Sequence, residues 1–213
     1  MQTEQVIEQL AAQLEPVKRL RAPAERAAIW LLLVGCAGAI VILRFAHMDT
    51  ALQRLAIPRI TFECAAIGLT AIAAILAAFQ ISIPDRSPRW AWLPLPPLLV
   101  WLGASGLGCL RSGLLFHTRG NPIAESSHCF SFIVAVSVPL ALLLFAMLRR
   151  SRPLNPIPVA AMGTLGVAAS AAFLLEFFHP YDVTAIDLAL HLAAVAALIL
   201  LGTALRRPLL GAN

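Results

Sequence analysis

Apolar runs of about 20 residues, broken by short stretches of charge and proline, recur from residue 27 to residue 205. Six can be marked: 27–45, 61–83, 90–110, 130–148, 157–178 and 183–205. As a helix, each is long enough to cross a hydrocarbon core of about 30 Å. The pattern predicts an all-α integral membrane protein. Six transmembrane helices form a compact bundle over 27–213, after a soluble tail over 1–26. A polar stretch precedes the first apolar run, so no signal peptide is expected.

The tail has a different period. Val6, Ile7, Leu10 and Leu14 recur at helical spacing, with Glu4, Glu8, Gln9 and Gln13 opposite. One short amphipathic helix over 3–15, stopped by Pro16, is predicted. A helix this short is marginal alone in water and needs cover for its apolar face. That cover is either the protein's own loops and the lipid surface, or the groove of a partner protein.

Within the spans, small residues mark where backbones can approach. Gly103, Ser105, Gly106 and Gly108 do so in the third span, and Gly163, Gly166, Ala169 and Ser170 in the fifth. Pro94, Pro96 and Pro97 predict an irregular start to the third span. No internal repeat supports a transporter built on inverted repeats.

Composition agrees with the pattern. The chain of 213 residues is 60% hydrophobic and 13% charged, with a mean hydropathy of +0.83. Soluble domains carry about 25% charge. The net charge of +5 is a matter of topology and gives no reason to expect direct nucleic-acid binding. Of the 16 basic residues, 11 fall on one face of the six-span layout, among them Lys18, Arg26, Arg86, Arg149 and Arg206. The positive-inside rule makes that face, with both termini, cytoplasmic.

The same layout gathers soft ligands on the outer face. All five histidines lie there, and every cysteine but Cys36, a small apolar residue expected to be buried in the first span. Cys109 closes the third span and Cys129 opens the fourth, beside His128. Two readings stand: a structural disulfide, or a reactive or metal-accepting thiol pair. Asp187 and His191 share one face of the sixth span, and Glu176 and His179 flank the turn before it. They are either a mutually satisfied carboxylate–imidazole group or a proton- or metal-responsive site. Glu63 and Cys64 open the second span, but periodicity cannot place them near that cluster. No CxxC, GxSxG, P-loop or dinucleotide fingerprint is present, and nothing argues for an enzyme.

Several segments, in this order, resemble the NrsF family (negative regulator of sigma F). They are the run 7–20, the stretch 84–90, Gly108-Cys109-Leu110, Cys129-Phe130, Phe178-His179-Pro180-Tyr181-Asp182, and His191. The resemblance implies a six-spanning anti-sigma factor of the bacterial inner membrane. Its cytoplasmic tail, here Val6, Ile7, Leu10, Leu14 and Val17, would hold an extracytoplasmic-function sigma factor. Cys109 and Cys129 match an outward-facing cysteine pair that responds to metal or oxidant stress. His128, Glu176, His179, Asp187 and His191 would be accessory ligands. No cofactor is required, and a transient heavy-metal ion would be the signal. Cys36 and Cys64 lie outside the family pattern. The alternative is a small transporter or ion channel using Glu176, Asp187 and His191. A membrane thiol oxidoreductase lacks the CxxC it would need.

Overall fold

A computed structural model describes residues 3–12, 19–111, 122–178 and 185–211, with the side chains of 108–111, 122–128 and 185–187 outside that description. Among the described residues, all regular structure is helical. The tail helix α1 is Thr3–Ala12. It is followed by α2 (Pro23–Phe45), α3 (Met48–Leu55), α4 (Pro58–Ile81), α5 (Leu95–Arg111), α6 (Pro122–Leu148), α7 (Pro156–Leu175), α8 (Ala185–Ala204) and α9 (Arg206–Leu210).

Four helices, α2, α4, α6 and α7, are long and apolar enough to cross a membrane. The two remaining apolar runs also form helices, α5 and α8. α5 begins at Leu95, directly after Pro94, and holds Pro96 and Pro97 in its first turn, where proline costs little. The chain before it forms a 3-10 helix, Pro88–Trp92, the irregular entry the prolines predict. α8 contributes a described apolar stretch of Leu188–Ala204.

α7 is the hub of the bundle and packs on α4, α6 and α8. Its small residues make this approach possible. A methyl group on Gly166 would come within 2.7 Å of Ile75 Cδ1 and 3.1 Å of the Ile75 backbone nitrogen on α4. On Gly163 it would lie 3.1 Å from Leu144 Cδ2 on α6. Gly202, which the sequence reading passed over, lets α8 lie directly against Thr164. Gly103 and Gly106 behave otherwise: no described residue lies within 4 Å of a methyl group at either, so among the described residues no helix packs closely through them.

Several buried or half-buried hydroxyls are satisfied by their own helix, as an apolar surrounding favours. The Thr70 hydroxyl donates to the Ala66 carbonyl at 2.8 Å, Thr164 to Ala160 at 2.6 Å and Ser170 to Gly166 at 2.8 Å. α2 lies at the periphery and exposes Leu32, Leu33, Ile40, Leu43 and Phe45. Such a surface is costly in water and ordinary against lipid. Cys36 also faces outward from α2. Its expected burial is therefore corrected: α2 presents one narrow face to the bundle, and Cys36 is not on it.

The helices run up and down. The start of α2, the end of α6 and the closing helix α9 share one apolar cluster, in which Ala27, Trp30, Leu148 and Leu210 are fully buried. The chain thus enters and leaves the bundle at the same end.

Candidate functional site

Three polar features stand out, and the first is the tail. Glu4 in the first turn of α1 favours the helix electrically. Val6, Ile7 and Leu10 share one face, as their spacing requires. Val6 is half-buried, while Ile7 and Leu10 are about 60% exposed, and no residue of α1 is buried. The bundle therefore does not supply the cover that the apolar face needs. Leu14 and Val17 lie outside the described residues.

The second feature is a buried charged group where α3, α4, α5 and α7 meet. Glu63 is 5% exposed on α4. One carboxylate oxygen accepts from the Ser105 hydroxyl on α5, and the other pairs with Arg59 Nη1 at 3.5 Å. Glu176, in the turn after α7, is close enough to feel the repulsion of Glu63 and the attraction of Arg54 and Arg59. Cys64 is buried beside the two carboxylates. Sequence reasoning grouped Glu176 with Asp187 and His191; the described structure groups it with Glu63, Arg54 and Arg59. The Asp187 side chain and all of His179 lie outside the described residues, and His191 is half-buried on α8.

The thiols occupy different settings. Cys129 is 5% exposed and packs with Ile133 of α6, Ala171 and Leu175 of α7, and Ala194 of α8. Cys109 lies near the end of α5, with its side chain outside the described residues, as is that of His128. Among the described residues, no group of three or more histidine, cysteine or acidic side chains could hold a metal ion.

The third feature is basic and lies at the opposite end. Arg26 of α2 donates from Nη1 to the Ser151 hydroxyl at 2.6 Å and from Nη2 to the Met147 carbonyl. Its guanidinium stands 5.0 Å from the centroid of Phe79 of α4. Ser82, fully buried at the end of α4, donates to the same Ser151 hydroxyl at 3.2 Å. One arginine thus pins α2, α4 and α6 together. Sequence reasoning counted Arg26 only as a topological charge.

Taken together, these features define a membrane-associated helical protein with charged groups at both ends of its bundle and an amphipathic tail helix none of whose residues is buried. The chain matches the family model for NrsF, negative regulator of sigma F, over residues 10–211, and it belongs to that family. No curated protein and no solved structure matches it. The family description makes a sigma factor the regulated partner.

Proposed function

We propose that the protein is a bacterial inner-membrane anti-sigma factor that spans the bilayer six times with both termini in the cytoplasm. The tail helix α1 captures an extracytoplasmic-function sigma factor by laying Val6, Ile7 and Leu10 into an apolar groove, with Leu14 and Val17 continuing the contact. The observation that carries this is the unburied apolar face of α1 in a chain whose family is described by sigma-factor regulation. The helix is too short to be stable alone, and binding would supply the missing cover.

Release begins at the other end of the bundle. Cys109 and Cys129 form the sensor, taking a heavy-metal ion or changing their disulfide state. His128, Glu176, His179, Asp187 and His191 serve as accessory ligands. Cys129 packs with Ala171 and Leu175 of α7 and Ala194 of α8, so metal capture or oxidation at its sulfur would first need these helices to part, and it would change the packing of all three.

Leu10→Glu tests the capture step. An unpartnered carboxylate in an apolar groove costs several kcal/mol, so sigma-factor binding should fall by roughly 100-fold or more. Membrane levels of the variant should match wild type, and sigma-dependent transcription should become constitutive. Full repression by a Leu10→Glu, Leu14→Glu double variant would remove α1 as the binding element.

A further inference from the structure

A cavity of about 1090 Å³ opens at the arginine-rich end, between the start of α2 and the end of α6. Six arginines line it: Arg19, Arg21, Arg26, Arg149, Arg150 and Arg152. Among the described residues no acidic residue lines it, and none of the six pairs with a carboxylate. So many uncompensated guanidinium groups around one hollow repel one another and call for an anion.

The rest of the wall shows what kind of anion fits. Ile29 and Leu33 follow Arg26 down α2, and Leu143 and Met147 descend α6 opposite them. From Arg26 to Leu33 the lining runs about 10 Å along the helix axis. The cavity therefore has a cationic rim and an apolar wall leading into the bilayer-facing surface. A wholly polar ligand, such as an acidic peptide segment, would match the rim and leave the wall unmatched. A phospholipid matches both.

The backbone is shaped around this hollow. The 3-10 turn Arg149–Ser151 ends at Arg152, which takes a left-handed conformation with φ of 44°. Residues other than glycine adopt that conformation only against strain. Gly211, which closes α9 with φ of 64°, lies beside the Arg149 side chain. The two departures frame the arginine rim.

We propose that this cavity is a binding site for a phospholipid with a net negative headgroup. The phosphate sits among Arg149, Arg150 and Arg152, and the acyl chains lie along Leu33 and Leu143. Basic pockets between membrane helices bind anionic lipid headgroups on this principle. Arg19 and Arg21 connect the tail to α2, so an occupied cavity fixes where the tail leaves the bundle. The site stands independently of the identity of the tail's partner and of the membrane face to which this end belongs.

The full-length protein in neutral detergent, titrated with phosphatidylglycerol or phosphatidylcholine and read by native mass spectrometry, tests the site. Wild type should retain phosphatidylglycerol in preference to phosphatidylcholine by roughly tenfold or more. Arg150→Gln with Arg152→Gln should abolish that preference. Arg86→Gln with Arg89→Gln, on basic residues outside the cavity, should preserve it. Helical circular dichroism of each lipid-free variant checks folding, and Arg26 is left intact because it pins three helices. Should the cavity variant misfold, the wild-type selectivity and a Leu33→Asn variant with reduced retention carry the test. Equal retention of the two lipids would overturn the proposal. So would equal loss in the Arg86/Arg89 variant, displacement of the lipid by inorganic phosphate alone, or displacement by an acidic peptide.

Discussion

At Gly166 a single methyl group decides whether α7 can lie against α4. The nearest atoms to such a methyl belong to Ile75 and include its backbone nitrogen, which cannot swing aside. Gly166→Ala should therefore destabilise the bundle by about 1–3 kcal/mol, the usual cost of overpacking. Gly106→Ala, with no described residue within 4 Å of the added methyl, should leave stability unchanged. Thermal unfolding in detergent separates the two; equal melting temperatures would contradict the packing described here. Both glycines look alike in sequence, because composition marks a small residue and not the face it occupies. The same limit hid the contact between Glu63 and Ser105. Periodicity places each on its own helix, and only the fold of α4 against α5 brings them together. The reading of Cys36 failed for a related reason: an apolar run cannot tell a lipid-facing thiol from a buried one.

At the scale of elements, the tail helix was legible because its apolar positions hold a 3.6-residue period against a polar background. The expected end at residue 15, set by Pro16, lies outside the described residues. α3 was passed over, although Met48, Ala51, Leu52 and Leu55 carry the spacing of a helical face, and Ala51 is indeed buried. The short break between two long apolar runs drew it into the category of loop. α6 begins at Pro122, two turns before the apolar run that announced it, because hydropathy marks membrane depth and not helix length. Cys129 lies inside that helix, so a change at its sulfur acts on the packing of α6 against α7 and α8. Switching a partner from mostly bound to mostly free requires about 5.5 kcal/mol of differential stability. Thiolate–metal bonding is of sufficient strength, and one surface salt bridge is not. Cys109→Ser and Cys129→Ser should each lock the response in one state, with the double variant matching the singles. Cys36→Ser and Cys64→Ser should respond to metal and oxidant as wild type does. Normal induction in the Cys109→Ser, Cys129→Ser double variant, read from a sigma-dependent reporter, would reduce the pair to a structural staple.

For the whole molecule, the asymmetry between the two ends matters most. One end gathers uncompensated arginines, the start of α2 and helix α9; the other holds the buried Glu63 with Glu176, Arg54 and Arg59 near it. The separation was visible in the sequence as a count of basic residues per face, since positive charge orients membrane proteins without regard to packing. It predicts that reporter fusions after Arg150 and after Asn213 report cytoplasm and fusions within 113–126 report periplasm. The reverse pattern would place the tail in the wrong compartment for any sigma factor. The central claim is that the uncovered face of α1 is covered by the sigma factor. A photo-crosslinking residue placed at Leu10, and separately at Glu8 on the opposite face, tests it in living cells. Crosslinking of a sigma factor at Leu10 and not at Glu8, lost on exposure to the inducing stress, is the predicted result. No sigma-factor crosslink at Leu10, or equal crosslinking at both positions, would contradict it.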